Sequence, residues 1–200
     1  VRLVVSALGA PPKAMVERLH GLGIKVGSMV GKVEHALRQR AAGVDLVVAQ
    51  GSEAGGHSGQ IASMILWPQV VDAVAPLPVL AAGGIGRGRQ MAAALTLGAE
   101  GIWCGSLWLA TRESELIPEL KERLFTARAE DAVQSRSRTG KPVRMLRSKL
   151  TEAWEAPGAP AFLPMPLQTA AMIESRLRAE RARAKDFLTY PVGQIVGDMH

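Results

Sequence analysis

A single cysteine, Cys104, stands in a chain of 200 residues, so no internal disulfide can form and the framework of a small secreted domain is excluded. A lone thiol instead suits a reducing cytoplasm. No apolar run reaches the length of a membrane span; the first residues, Val1 to Leu8, are apolar but too few, and they lack the charged flank and cleavage site of a signal peptide. Aromatic residues are only 4% of the chain, too sparse to supply stacking platforms for nucleic-acid bases. The four histidines are scattered and no carboxylate cluster accompanies them, which gives no metal-ligand spacing. An initiator Met is also missing, which we read as a sign that sequence precedes Val1.

What is present reads as a soluble globular protein: 48% of the residues are hydrophobic, enough for one sizeable core. The length falls short of the ~250 residues that a complete (β/α)8 barrel usually takes. A net charge of +6 raises the question of a nucleic-acid surface, so the position of the bases matters. They fall mostly on Lys121 to Lys149 and Arg176 to Lys185, and the second group is interleaved with Glu174, Glu180 and Asp186 in a helical pattern. That is the pattern of a solvated helix face, and no nucleic-acid partner is expected.

Short β-rich apolar runs recur: Leu3 to Ala7, Lys25 to Val30, Val44 to Gln50, Pro78 to Ala82 and Gly101 to Cys104. Between them, Lys13 to Leu22, Val33 to Ala42, Trp67 to Val74 and Arg89 to Leu97 carry apolar residues at helical spacing. Gly23, Gly43 and Gly98 stand where three of these helices should end. Strands alternating with helices predict a parallel sheet buried on both faces. After Ser106 the pattern becomes basic, Ser/Thr-rich and Pro-rich, with no alternating strands. The expected division is therefore residues 1–110 as strands and helices of a barrel, 111–165 as a small, mainly helical subdomain, and 166–200 as a returning helix, Leu167 to Phe187, with a tail from Tyr190 to His200 packing on the barrel.

Three polar, glycine-rich segments follow the C-terminal ends of consecutive strands, the end at which (β/α)8 barrels build their active sites. The first, Gln50 to Gly59, contains Gly55-Gly56-His57. Paired glycines let a backbone approach a flat ligand closely, and histidine accepts a proton near neutral pH without special tuning. Against this stands the plainer reading that His57 caps a turn or pairs with Glu53; the glycines and the strand-end position favour a catalytic base. The second segment, Ala81 to Gly88, and the third, Trp103 to Ser106, sit where backbone N–H groups at a helix start hold a phosphate. Gly84 and Gly105 would offer such groups and Ser106 a hydroxyl, a set that fits a mononucleotide phosphate. Arg87 and Arg89 read as a surface pair, and Cys104 as a packing residue.

Taken together, Gln50 to Gly59, Pro78 to Gly88 and Leu97 to Ser106 resemble the signature of the nitronate monooxygenase family, formerly 2-nitropropane dioxygenase, over nearly the whole chain. The resemblance implies an α/β fold of the (β/α)8 TIM-barrel type, here lacking its N-terminal strands because the chain starts at the fourth, with a small helical subdomain inserted. It implies FMN as cofactor, a nitronate or nitroalkane and oxygen as substrates, and a carbonyl compound and nitrite as products. Position by position it implies His57 as the base, with Gln50, Gly55, Gly84, Trp103, Cys104, Gly105 and Ser106 around FMN. Ser106-Leu107-Trp108 departs from the commoner Thr-Arg-Phe, which keeps the hydroxyl but changes the wall beside it. Two other readings stay open: an FMN-dependent enoyl-acyl carrier protein reductase, which shares the fold and a Gly-Gly-His loop, and a non-catalytic flavin- or phosphate-binding module. Homo-oligomerisation and the physiological substrate are left open too.

Overall fold

The computed structural model describes residues 1–7 and 9–199; Leu8 and His200, which end the apolar first run and the tail noted above, lie outside the described residues. Five strands, β1 (Leu3–Ser6), β2 (Lys25–Val30), β3 (Leu46–Gln50), β4 (Val79–Ala82) and β5 (Gly101–Trp103), pair in sequential order, and every pair is parallel. The helices α1 (Lys13–Gly21), α2 (Val33–Ala42), α3 (Ser63–Val74) and α4 (Gly88–Thr96) make the crossovers. Such sequential βα units are those from which (β/α) barrels are built. Contacts divide the chain into two units, one of residues 1–52 and 59–104, the other of residues 53–58 and 105–200.

In the first unit, Val47, Val48 and Ala49 of β3 are fully buried, as expected for a strand covered on both faces. Leu66, Trp67, Val70 and Val74 bury one side of α3 in the same core, each large side chain contributing about 1.5–3 kcal/mol. This helix starts at Ser63 rather than at Trp67. Pro68 reads as a helix-start residue because it has no N–H to donate. The structure instead places it inside the helix, where burial of Leu66 and Trp67 offsets the missing bond. Gly98, after α4, has φ 93°, the left-handed backbone expected of a residue that ends a helix.

The second unit has α5 (Pro118–Thr126), β6 (Ala132–Ser135), β7 (Val143–Leu146), α6 (Lys149–Glu155) and α7 (Leu167–Arg181). The antiparallel pair β6–β7 stands within the stretch expected to be mainly helical, and the sequence pattern does not single it out. Its two strands read Ala-Val-Gln-Ser and Val-Arg-Met-Leu, too short and too mixed for their alternation to stand out. The expected segments 1–110, 111–165 and 166–200 are also drawn differently by the contacts. The boundary falls at Cys104–Gly105, and Leu120 and Leu124 share one core with Leu146, Leu188, Val192 and Val196. Helix α7 stops before Phe187, and Arg183 turns the chain with φ 48°. Its fully buried Gln168 donates to Ser137 O (2.7 Å) and accepts from Leu163 N (3.0 Å). The basic run ending in Lys185 is laced with ion pairs to Glu174, Glu180, Glu119 and Glu122.

At the start of β3 one carboxylate gathers three partners. Asp45 accepts from Val26 N (2.8 Å) and from Lys25 Nζ (2.8 Å), and His20 Nε2 lies 2.7 Å away. Burial pushes its pKa up, but these hydrogen bonds outweigh it and hold the carboxyl at about 2, below its usual 3.8. A folded-state value below the unfolded one means stability that is present above pH ~4 and lost as the pH falls toward 2. Asp45→Asn should therefore cost about 2 kcal/mol at pH 7 in chemical denaturation. Across the acid range the variant should lack the increment that the parent protein loses; equal acid sensitivity in the two would refute the assignment.

Candidate active site

In the first unit, the register puts Gln50, Ala82 and Trp103 in one row across β3, β4 and β5. Trp67 fixes the ends of two of these strands, its indole N–H lying 3.1 Å from Ala49 O and 3.2 Å from Ala82 O. Just past the row, Gly83 (φ 103°) and Gly84 (φ 70°) turn the chain in the left-handed region. A Cβ on Gly83 would lie 3.0 Å from Ser63 Oγ and 3.1 Å from the backbone of Gly51, so the close approach there requires glycine. Gln90 Oε1 accepts from Gly86 N and Arg87 N (2.9 Å each), which occupies two of the amides that a phosphate would seek. Cys104 packs with its Sγ 3.6 Å from Ile85 O, and burial pushes its thiol pKa up, the state of a packing residue. Gln50, Gly84, Trp103 and Cys104 are thus brought to one edge of the sheet.

In the second unit, residues 53–58 form an additional rung beside β7: Gly56 N donates to Arg144 O (2.9 Å) and Arg144 N to Gly56 O (2.8 Å). A Cβ on Gly55 would lie 2.7 Å from Val192 C and 2.8 Å from Gly193 N. The glycine at 55 is therefore demanded by the protein's own C-terminal segment, where the sequence pointed to a flat ligand. That segment also bonds Ser106, whose Oγ accepts from Gly193 N (2.8 Å), and Glu53, whose carbonyl accepts from Gln194 N (2.9 Å). Gly55 and Ser106 are brought together in this way through Gly193. The Ser106 hydroxyl keeps its hydrogen for another acceptor. At Gly105 a Cβ would meet no atom within 4 Å, so packing alone does not explain the glycine.

His57 is solvent-accessible, with the Nε2 edge of its ring turned to Thr139 Oγ1 at 3.0 Å. Thr139 lies in the β6–β7 connection and went unnoticed in the sequence, because only the hairpin brings it to the histidine. The His57 pKa is lowered from its ordinary 6.5, first by partial desolvation and then by the positive charges of Lys141 and Arg138. At neutral pH the ring is uncharged and able to accept a proton.

Sequential parallel βα units with glycine-rich loops at the strand carboxyl ends define an α/β protein of TIM-barrel type. A family profile described as nitronate monooxygenase matches residues 1–198, and the chain belongs to that family. A Mycobacterium tuberculosis protein described as a candidate monooxygenase is 54% identical over 205 residues, covering 100% of this chain and 55% of its own length. A Rhodococcus jostii dehydrogenase of a hydroxy-methyl-oxo-octahydroindene carboxyl-CoA is 38% identical over 158 residues, covering 79% of this chain and 44% of its own. Among solved structures, nitroalkane oxidase from Streptomyces ansochromogenes superposes with a TM-score of 0.87 at 33% identity, covering 98% of this chain and 58% of that one. The chain spans about half the length of the curated relatives it matches.

The cations beside His57 generate a prediction. A folded-state pKa below the unfolded one means that acidification through pH ~6.5 costs stability, and removing a neighbouring charge should raise the value. Lys141→Gln should raise the midpoint of the His57 titration, followed by NMR; an unchanged midpoint would show that Lys141 is screened.

Proposed function

We propose that the full-length protein is a cytoplasmic, FMN-dependent nitronate monooxygenase that oxidises alkyl nitronates or nitroalkanes with oxygen to carbonyl compounds and nitrite. Family membership and the likeness to nitroalkane oxidase support the reading. The observation that carries it is the solvent-accessible His57 ring held 3.0 Å from Thr139 Oγ1, with partial desolvation and nearby cations lowering its pKa. A neutral nitroalkane keeps the proton on the carbon beside its nitro group until a base removes it, and His57 is the base. Among the described residues no helix is long and apolar enough to cross a membrane.

The residues present fit a bound flavin mononucleotide. In the first unit, Gln50, Gly84, Trp103 and Cys104 are the candidates to contact it. In the second, Gly105 offers open space where a side chain would stand, Ser106 offers a hydroxyl hydrogen, and Gly55 offers backbone alone. When bound, FMN supplies the electron-accepting chemistry that couples nitronate oxidation to oxygen. The Rhodococcus jostii relative is a dehydrogenase of a carboxyl-CoA, so oxidation of an acyl-CoA is the second reading.

His57→Asn should lower the rate on neutral nitroalkanes by about 10²–10⁴ and affect pre-formed nitronates far less, since they have already lost the proton. Nitrite release with each substrate is the measurement. Turnover of an acyl-CoA or an enoyl thioester without nitrite release would overturn the assignment. Gly105→Leu tests the cofactor separately: with no protein atom within 4 Å of the new Cβ, the variant should keep its thermal midpoint and lose the flavin absorbance of the purified protein. Full retention of FMN would remove Gly105 from the site.

A further inference from the structure

Thr139 Oγ1 takes part in three contacts. It lies 3.2 Å from Lys141 O, 3.3 Å from Lys141 N and 3.0 Å from His57 Nε2. A hydroxyl has one hydrogen and two acceptor lone pairs. The carbonyl of Lys141 can only accept, so the hydroxyl hydrogen goes to it; the amide of Lys141 can only donate, so it fills one lone pair. The contact with His57 then holds a hydrogen only if Nε2 supplies it. Were the hydroxyl to donate to an unprotonated Nε2 instead, Oγ1 and the Lys141 carbonyl would face each other at 3.2 Å with no hydrogen between them.

We propose that Thr139 sets the tautomer of His57, so that Nε2 carries the ring proton and Nδ1 is the atom that takes the proton from the substrate. The inference rests on His57 being the base. In the step itself, the C–H bond beside the nitro group breaks and its electron pair stays on the substrate as the nitronate. The proton forms an N–H bond at Nδ1, and the ring becomes an imidazolium whose Nε2–H still donates to Thr139. That hydrogen bond strengthens as the ring gains charge, so it favours the transition state over the ground state. Thr139 acts through His57 and is a positioning residue.

The surroundings hold Thr139 rigidly enough for this task. It is nearly buried, and its loop is clamped by Gln168 at Ser137 O (2.7 Å). Arg136 Nε donates to Gly140 O (2.9 Å), and Gly140 N to Arg136 O (2.8 Å). On the other side, the pair of backbone hydrogen bonds between Gly56 and Arg144 fixes the backbone next to His57. The ring is thus set between two anchored points of the same unit.

Two measurements on the full-length protein test the proposal. In the wild type, two-bond ¹⁵N–¹H correlations of labelled histidine should show His57 with a protonated Nε2 and a bare Nδ1; the reverse pattern overturns it. In kinetics, Thr139→Val should lower kcat on a neutral nitroalkane about 10-fold with KM little changed. It should leave a pre-formed nitronate almost unaffected, and Thr139→Ser should restore the parent rate. Wild-type kcat in Thr139→Val on the nitroalkane also overturns it. If His57→Asn leaves nitroalkane oxidation intact, the base assignment fails and the role of Nδ1 with it, while the NMR pattern still decides the tautomer.

Discussion

The six residues from Glu53 to Ser58 follow β3 with no regular structure of their own, yet they carry His57, the base of the proposed reaction. Their backbone donors and acceptors need partners, and a loop whose partners are only water would not hold a side chain in one place. Gly56 and Arg144 exchange both of their backbone hydrogen bonds, at 2.9 and 2.8 Å, and convert the loop into a rung beside β7. Each such bond contributes only about 1 kcal/mol net, but together they fix a direction for His57. Gly55 is pressed against Val192 and Gly193 with no room for a Cβ, so the loop is held on that side as well. Without these contacts the Thr139 hydrogen bond would have no fixed ring to meet.

The first unit solves a different problem. Near the carboxyl ends of β3 and β4, Ala49 O and Ala82 O share the indole N–H of Trp67. The same helix sends Ser63 to Gly83, whose carbonyl accepts from Ser63 Oγ at 3.2 Å. One helix therefore sets where β4 ends and where its glycine turn begins. Gln90 ties down two further amides of that turn, so the loop is stiff without help from a ligand.

Partial desolvation first, and nearby positive charge second, lower the pKa of the histidine. Lys141 and Arg138 make an imidazolium unfavourable, which keeps the resting ring neutral and lowers its basicity as well. The same two charges favour an anion beside the ring, which in the proposed reaction offsets the lowered basicity where the product of proton removal is negatively charged. Arg138 is kept in place over the Tyr190 ring, 5.8 Å from its centroid.

The sequence by itself determined the βα order, the five strands to within two residues and the strand-end position of Gln50, Gly84, Trp103 and Cys104, because buried parallel strands and helix-ending glycines leave local, periodic marks. It singled out His57 as well, from its glycines and its place after a strand. The hairpin β6–β7, the turn that ends α7, the bond from Thr139 and the fit of Gly55 against the C-terminal segment were decided by the tertiary structure alone. The reason is separation along the chain: Thr139 lies 82 residues from His57, and Gly193 lies 87 from Ser106. Hydrogen bonds between such distant residues leave no period in the sequence; a threonine or a glycine reads the same whether it orients a base or ends a turn.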